Sequence, residues 1–375
     1  MSGPLAGIRI LEIGHMLAGP YCGQLLADLG ADIVKIEPAD GDIARRVSPR
    51  VIGPHNEYFA SLNRNKRSVV IDLASVEGQR ALHDLAVGAR GLITNLRPSA
   101  IHKLGLTYDA LKQVNPALVC VALTGYGLNG SYAARPAYDY VIQAMTGVME
   151  MTGEPNAPPT KTGYSAVDNS AGIMAAFGLV AQLLGGKGGQ VDVAMYDVML
   201  SQLNYVAAAS LNGGVKAQRY PRSGHPYVVP AQVFETKSGW LVLFISHDQF
   251  WRSFCAELGR PEWADDPRFA TMAARRDNRD ALIAAVGDIL MTRPATEWAE
   301  GLVELGVVAA AVASLEEALA CDLVAEREMI VEIPTAERPL RVIGNPIKIS
   351  GNRETYTAPP LLGEHTDMLL GKMPG

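Results

Sequence analysis

The sequence predicts an α/β fold in which a doubly wound parallel sheet forms a larger domain and a smaller α/β domain accompanies it. The first observation is a β-α-β pattern at the amino terminus, where aliphatic runs at residues 8–13 and 33–36 enclose a Gly/Pro-containing turn and a helical pattern. The second is that later apolar runs alternate with helix-like segments, which is typical of a parallel sheet covered on both faces. The third is the length of 375 residues, which exceeds the usual size of one compact domain.

The remaining elements of the first half follow in order. Further strand patterns lie at residues 68–73, 91–94 and 118–123. A helical pattern at residues 77–87 separates the first two of these. Beyond residue 163 the pattern changes to two long helices rich in small residues, 169–184 and 196–211, with a strand pattern at 190–194 between them.

The second half begins at residues 211–230, which collect Gly, Pro and Asn and predict a linker. Residues 231–235 and 240–245 flank a Lys-Ser-Gly turn and predict a β-hairpin. Helical patterns follow at residues 249–258, 279–291 and 295–305, and strand patterns at 307–312 and 331–350. These patterns predict a small α/β module.

Composition excludes several classes of partner. A formal net charge of −6 disfavours binding to nucleic-acid phosphates, which requires a dominant basic surface. The four cysteines are far apart and form no C-x-x-C pair, so neither a zinc site nor a disulfide framework is indicated. Because the sequence has no secretory pattern at its start and no uninterrupted apolar segment of membrane-spanning length, we expect a cytoplasmic protein without a membrane partner.

The common cofactor and hydrolase motifs are missing from the sequence. The first β-α turn reads Gly14-His15-Met16-Leu17-Ala18-Gly19-Pro20, which is not G-x-G-x-x-G, so a nicotinamide cofactor is disfavoured. The sequence contains no phosphate-binding G-x-x-x-x-G-K-[ST] loop, no H-E-x-x-H and no G-x-S-x-G. Triphosphatase, metallohydrolase and serine esterase chemistry therefore lack a signal.

Asp168 precedes a long helical pattern of small and apolar residues. The simpler interpretation is an N-cap, whose carboxylate accepts hydrogen bonds from the first helix amides. The functional interpretation uses the same geometry, because a helix N-terminus favours an ionised carboxylate and its free amides can stabilise an oxyanion nearby. The local pattern alone favours the cap.

Short motifs in a fixed order decide between these interpretations. They lie at residues 11–19, 30–37, 65–68, 95–98, 135–139, at Asp168 with its helix, and at 266–269 and 360–366. Together they resemble the class III coenzyme A (CoA) transferases, the family of formyl-CoA and carnitine CoA transferases. The resemblance covers nearly the whole chain.

The resemblance implies positions for the site residues. The family's catalytic aspartate falls on Asp168. Its CoA contacts fall on Leu17, Ala18, Ile71, Asp72, Leu73, Asn95, Leu96, Arg97, Lys103, Ala137, Tyr138 and Asp139. Doubly wound sheets bind ligands at the carboxyl ends of their strands. Among these residues, Arg97 and Lys103 are cations suited to nucleotide phosphates. Arg222, Gly224 and His225 near the linker are further candidates for contact with substrate.

The same resemblance implies activity and architecture. It implies transfer of CoA from an acyl-CoA thioester to a carboxylic acid through an aspartyl anhydride and an aspartyl-CoA thioester, with no tightly bound cofactor and no metal. It also implies a discontinuous, Rossmann-like large domain, a small inserted domain and an interlocked, ring-like homodimer. With the patterns above, the domains are residues 1–210 and 231–325, with a linker at 211–230 and a return segment at 326–375 that completes the large domain.

Some features depart from the family or leave alternatives open. Leu17 stands where formyl-CoA transferases have glutamine, and residues 223–226 lack their run of glycines, which disfavours formate and oxalate as substrates. An α-methylacyl-CoA racemase shares the fold and CoA site, but similar racemases have histidine where Tyr138 stands, and a phenol ionising at about pH 10 is a poor base at neutral pH. A CoA-binding protein that has lost the chemistry is the other alternative, and retention of Asp168 weighs against it.

Overall fold

The computed structural model describes residues 3–335, 338–352 and 354–371. Its strands are β1 Arg9–Ile13, β2 Asp32–Glu37, β3 Val51–Ile52, β4 His55–Asn56, β5 Lys66–Val70, β6 Gly91–Thr94, β7 Val119–Thr124, β8 Gly189–Ala194, β9 Ala231–Glu235, β10 Trp240–Phe244, β11 Val308–Ala311, β12 Ile330–Ile333 and β13 Leu340–Ile343. Its α-helices are α1 Ala18–Asp28, α2 Glu57–Leu62, α3 Val76–Val87, α4 Pro98–Lys103, α5 Tyr108–Leu111, α6 Asp139–Met145, α7 Val148–Met151, α8 Ala166–Leu184, α9 Met195–Gln202, α10 Asn204–Gly213, α11 Asp248–Glu257, α12 Met272–Asp277, α13 Arg279–Leu290, α14 Ala295–Glu304, α15 Leu315–Ala320, α16 Asp322–Glu326 and α17 Thr366–Leu370.

Six parallel strands form the main sheet of the described chain, in the spatial order β5-β2-β1-β6-β7-β8. Counted along the chain, these are the third, second, first, fourth, fifth and sixth sheet strands, which is the order of a doubly wound, Rossmann-like sheet. The predicted α/β fold with a parallel sheet is confirmed. The order reverses between β1 and β6, because the chain leaves β1 toward one edge of the sheet and β6 toward the other.

The central strands are buried along nearly their whole length. Every residue of β6 and β7 is buried, and so are the last four residues of β1. Continuous aliphatic runs suit a parallel strand with both faces covered, whereas an alternating pattern suits a half-exposed strand. The edge strand β8 alternates between partly buried and exposed residues, so its sequence is more polar.

The chain divides into two compact units. The first contains residues 1–146, 162–208 and 322–375, and the second contains 147–161 and 209–321. The sequence places residues 147–161 in the large domain, whereas the structure groups them with the second unit. The physical reason is Arg219, whose guanidinium donates to the carbonyls of Glu150, Glu154 and Ala157 within that unit.

The last segment of the chain packs on the first unit. The backbone N–H of Thr357 donates to the side chain of Asn65 at 2.7 Å, and the N–H of His365 donates to the carbonyl of Ser68 at 2.9 Å. Strands β12 and β13 pair with each other, and their residues Ile333 and Leu340 form a small buried cluster with Ala60. These contacts tie the return segment to the neighbourhood of β5.

The second unit has a core of its own. Strands β11, β10 and β9 form an antiparallel sheet, which confirms the predicted β9-β10 hairpin. Helices α11, α13 and α14 contribute Trp251, Leu282 and Trp298 to its buried cluster. The long helix predicted at residues 196–211 is instead two helices, α9 and α10. They meet at Asn204, whose φ of 41° is outside the helical range.

Helix α8 has 19 residues and is long and apolar enough to cross a membrane by length and composition alone. This differs from the expectation that no segment reaches such a length. A core helix packed on a sheet has the same length and composition. Here α8 carries Asp168 in its first turn and packs against α1, β7 and β8.

Gly172 lies where α8 crosses α1 most closely. A Cβ added there would meet the carbonyl oxygen of Ala18 at 2.9 Å and the ring of Tyr21 at 3.1 Å. We expect Gly172→Ala to destabilise the protein by about 1–3 kcal/mol, because backbone cannot yield as a side chain can. Thermal unfolding followed by circular dichroism measures the change. Gly287→Ala is the matched control: it has open space in α13 and should be neutral or stabilising by up to about 1 kcal/mol. Equal melting temperatures for parent and Gly172→Ala would contradict the prediction.

Candidate active site

A cavity of about 140 Å³ lies at the carboxyl edge of the main sheet. It is formed by residues that follow β1, β6 and β7, with additions from α2, α8 and α9. Its lining is His15, Met16, Leu17, Ala18, Tyr58, Asn95, Leu96, Arg97, Pro98, Leu123, Thr124, Gly125, Ala133, Arg135, Ala137, Tyr138, Asp168 and Met195. The cavity therefore occupies the point where the strand order reverses, the usual ligand site of a doubly wound sheet.

The structure brings eight of the predicted site residues together around this cavity. They are Leu17, Ala18, Asn95, Leu96, Arg97, Ala137, Tyr138 and Asp168. Asn95 also holds the first turn in place. Its Oδ1 accepts from the N–H of His15 and its Nδ2 donates to the carbonyl of His15, both at 2.9 Å. Added Cβ atoms at Gly14 and Gly19 would collide with this amide, so glycines allow the close approach.

Asp168 is not the N-cap of α8. The helix begins at Ala166, after Ser165, and Asp168 is its third residue. The capping acceptor comes from another helix: Oδ2 of Asp139, the first residue of α6, accepts from the N–H of Val167 at 2.9 Å and of Asp168 at 3.4 Å. The free amides predicted to stabilise an oxyanion are therefore engaged by Asp139, and the Asp168 carboxylate is left available to the cavity.

The environment of Asp168 raises its pKa to about 7. Burial is the main cause, and the negative charge of Asp139 adds to it. This differs from the expectation that a helix N-terminus keeps the carboxylate ionised. The amides that would have stabilised its charge donate to Asp139 instead. At neutral pH a substantial share of Asp168 is protonated, and the ionised form is poorly solvated.

Tyr58 and Arg135 are cavity residues for which the sequence predicted no role. Burial and the nearby Asp168 raise the pKa of the Tyr58 phenol to about 12, so it remains a hydrogen-bond donor at neutral pH. Arg135 stacks on the ring of Tyr132, with 3.7 Å between its guanidinium carbon and the ring centroid. Arg135 lies inside a motif that carried the resemblance, whereas Tyr58 lies outside those motifs and had no signal.

The other predicted CoA contacts do not line this cavity. Ile71 and Leu73 are buried in the main hydrophobic core, and Asp72 between them is exposed and accepts from the N–H of Ala74. Lys103 is an exposed residue in the last turn of α4. Asp139 is buried against α8. Their contacts with CoA stay predictions.

Arg222, Gly224 and His225 lie in the second unit. Arg222 lines a larger cavity there, of about 410 Å³, together with Arg279 and three acidic residues. Those three, Glu235, Asp280 and Asp288, are exposed. Size alone therefore does not identify the active site, and the smaller cavity with a partly buried carboxylate is the better candidate. The substrate role of the three predicted residues stays a prediction. Within the described residues, no group of three or more His, Cys, Asp or Glu side chains is placed to hold a metal ion.

Comparison with known families assigns the chain to one group of enzymes. The model of CoA-transferase family III matches residues 5–366. The chain belongs to this family. The resemblance seen in the sequence is thereby confirmed, and CoA-transferase activity is the activity of the family.

Curated CoA-transferases match nearly the whole chain. An acetyl-CoA:oxalate CoA-transferase of Acetobacter aceti is 35% identical over 95% of this chain and 92% of its own length. A succinate–glutarate CoA-transferase of Agrobacterium fabrum is 32% identical over 99% of this chain and 96% of its own. An acyl-CoA transferase of Fusarium pseudograminearum is 34% identical over 98% of this chain and 84% of its own length.

Solved structures of similar CoA-transferase family members agree with the fold. Rv3272 of Mycobacterium tuberculosis, in an orthorhombic crystal form, has a TM-score of 0.88 and 31% identity, covering 98% of this chain and 99% of that one. A CAIB/BAIF family protein of Brucella suis has a TM-score of 0.86 and 31% identity, with the same coverage.

Replacing Asp139 by Asn removes the negative neighbour of Asp168, so we expect the pKa of Asp168 to fall below about 7. Carboxyl-carbon NMR measures this pKa, with the signal assigned by its loss in Asp168→Asn.

A raised pKa of a folded acid costs stability when the acid ionises. Relative to Asp168→Asn, the free energy of unfolding of the parent should therefore fall as pH rises from about 4 to about 7, and it should fall no further at higher pH. In Asp139→Asn the pH range over which this loss occurs should be narrower.

The control for this titration is Asp84→Asn, an exposed carboxylate on α3. It should leave the titration of Asp168 unchanged. An Asp168 signal that titrates identically in the parent and in folded Asp139→Asn would contradict the electrostatic role of Asp139.

Proposed function

We propose that the protein transfers CoA from an acyl-CoA thioester to a carboxylic acid with Asp168 as the nucleophile. The observation that carries the proposal is a partly buried aspartate, of raised pKa, in the cavity at the strand-order reversal of a family III CoA-transferase. Arg97 and Arg135 line the same cavity, so both guanidinium groups are available to pair with an anionic group of the substrate there.

The chemistry begins with attack by a carboxylate oxygen of Asp168 on the donor thioester carbonyl. A mixed anhydride forms as the carbon–sulfur bond breaks, and CoA leaves as thiolate. The thiolate then attacks the aspartyl carbonyl, which gives an aspartyl-CoA thioester and releases the donor acid as carboxylate. The acceptor carboxylate repeats these steps in reverse and leaves as the new acyl-CoA. The electrons balance without a metal or redox partner.

Burial of Asp168 serves this chemistry in a definite way. A poorly solvated carboxylate is the more reactive nucleophile, and the fraction ionised increases as pH rises toward 7. The neutral phenol of Tyr58, which faces the same cavity, is available to donate to the oxyanion that develops on the thioester carbonyl. The cavity volume of about 140 Å³ is below the roughly 300–1,000 Å³ of whole-ligand pockets, so it accommodates the reacting end of the thioester.

The first test is a panel of acyl-CoA donors and carboxylic acids read by mass spectrometry. Oxalate, succinate and glutarate are suitable acids, since they occur in the names of similar enzymes. The parent should exchange CoA with at least one pair. We expect Asp168→Asn to lower the rate on the order of 10³-fold or more while remaining folded, because an amide is not a nucleophile.

Trapping distinguishes this function from its alternatives. Hydroxylamine or borohydride added with a suitable acyl-CoA should modify Asp168 of the parent and leave Asp168→Asn unmodified. A racemase would exchange the α-proton of its substrate with deuterated solvent and need no acceptor acid. A CoA-binding protein would bind CoA without modification. Full transfer activity in folded Asp168→Asn would overturn the proposal.

We also propose that the protein is a homodimer, as the family resemblance implies. Support comes from α8, where Ile173, Met174 and Phe177 are exposed by 49%, 41% and 68%. An apolar surface of this kind on a helix beside the active site is suited to burial against a second copy.

Phe177→Asp should shift the protein toward monomer, because a carboxylate would be desolvated in the interface. Sedimentation velocity measures the distribution. Val87→Asp is the matched control: Val87 is exposed by 66% on α3 and its replacement should leave the distribution unchanged. A parent that sediments as a monomer at micromolar concentration would refute the dimer.

A further inference from the structure

A chain of four charged side chains lies fully buried beneath the active-site turn. In order of contact they are Lys66, Glu12, Lys35 and Asp42, and each side chain has 0% exposure. Two lysines alternate with two carboxylates, so the buried charges balance. A buried ion pair is weak evidence for stability, since desolvation offsets much of its attraction, so another role must be sought.

Each ammonium group has three oxygen neighbours, two in hydrogen bonds and one in an ion pair. Lys35 Nζ lies 2.9 Å from Glu12, 2.9 Å from Asp42 and 3.1 Å from the carbonyl of Gly14. Lys66 Nζ lies 2.8 Å from the other oxygen of Glu12, and also contacts the carbonyl of Pro20 and the side chain of Asn63. The ion pairs with Asp42 Oδ2 and Glu12 Oε2 complete the surroundings of the two ammonium groups, although neither oxygen accepts a hydrogen bond.

Asp42 is the end of this chain that meets the active site. Its Oδ2 pairs with Lys35, while its Oδ1 accepts from the N–H of Met16 at 3.1 Å and from the N–H of Ala44 at 2.9 Å. Lys35 holds the carbonyl of Gly14. The turn between β1 and α1 is thus hydrogen-bonded on both sides of His15. Lys35 donates to the carbonyl of Gly14, and Asp42 accepts from the N–H of Met16.

The conformation of this turn requires such support. Met16 has a φ of 62°, in the left-handed region, which costs a residue with a side chain on the order of 1 kcal/mol or more. This conformation places His15, Met16, Leu17 and Ala18 along the cavity. The sequence does not signal a left-handed conformation at Met16, because glycine is the residue expected at such a position.

We propose that Asp42, itself held by Lys35, is a positioning residue that fixes the first turn in the conformation that binds the acyl-CoA thioester. The inference rests on the proposed function and extends it to a residue outside the cavity lining. It predicts that loss of the acceptor weakens CoA binding and spares the chemical step, since Asp42 contacts the turn and does not contact Asp168.

Charge supports the assignment. Burial alone would raise the pKa of Asp42, but Lys35 and the two backbone amides hold it below its usual value. Burial alone would lower the pKa of Lys35, but Glu12 and Asp42 hold it above its usual value. Both groups therefore stay charged through the neutral pH range. Their contacts with the turn persist over the pH range in which Asp168 ionises.

The test compares two double variants that both lack the ion pair. Lys35→Met with Asp42→Asn keeps an oxygen acceptor for the Met16 amide, whereas Lys35→Met with Asp42→Ala removes it. Neither leaves an unpaired charge buried opposite position 42. Calorimetric titration with CoA and steady-state kinetics with a saturating acceptor measure binding, KM for the donor, and kcat. Asp40→Asn, an exposed carboxylate two residues away, is the control and should match the parent.

Both double variants lose the hydrogen bond from Lys35 to the carbonyl of Gly14, so their difference isolates the acceptor at position 42. We expect the Ala-containing variant to bind CoA about tenfold or more weakly than the Asn-containing variant, with a matching increase in KM and with kcat values within about threefold of each other. Equal CoA affinity for the two folded double variants would overturn the inference. If the Ala variant does not fold, single Asp42→Asn is compared with Asp42→Glu, whose longer side chain misplaces the acceptor; equal affinities there overturn it too. A parent that binds CoA and transfers none would overturn the proposed function and leave this inference to the binding data.

Discussion

Reversal of strand order on either side of β1 is the constraint on which the candidate site depends. Two neighbouring parallel strands send their chains to opposite edges of the sheet, so the turns after β1 and β6 separate and leave a crevice. Asn95 from the second turn bonds to the backbone of the first, and the α8 helix brings Asp168 to the same place. Asp168, the two arginines and the turn thus come from distant parts of the sequence and meet because of topology.

The ionisation of Asp168 depends on which carboxylate accepts the hydrogen bonds of the nearby backbone amides. The amides at the start of α8 could have stabilised an ionised Asp168, but Asp139 accepts them. The consequence is a carboxylate whose charge is poorly compensated and whose neighbour is also negative. Ionisation of such a group is costly to the folded protein, and in the proposed transfer reaction attack on the thioester would remove the negative charge. The buried lysines under the first turn show the opposite arrangement, in which every charge has a partner of opposite sign.

Much of this could be predicted from the sequence. Aliphatic runs located β1, β2, β6, β7 and β8, since hydrophobic periodicity reports burial directly. The family resemblance carried by the short motifs predicted Asp168 and seven further residues that line the same cavity, and their roles stay predictions. The start of α8 was misplaced because its capping acceptor lies 29 residues earlier in the chain, on another helix. Tyr58 and Asp42 were missed because their importance lies in what they contact across the fold, and no local pattern reports such a contact.

The return of the chain to the first unit also has a consequence for biosynthesis. Asn65 and Ser68 bond to Thr357 and His365, and Thr357 is synthesised 292 residues after Asn65. The flank of β5 therefore stays incomplete while the intervening second unit, residues 209–321, is already able to form its own core. A premature stop just before Thr357 would leave Asn65 and Ser68 without these partners. Such a product would be a natural substrate for cellular quality control.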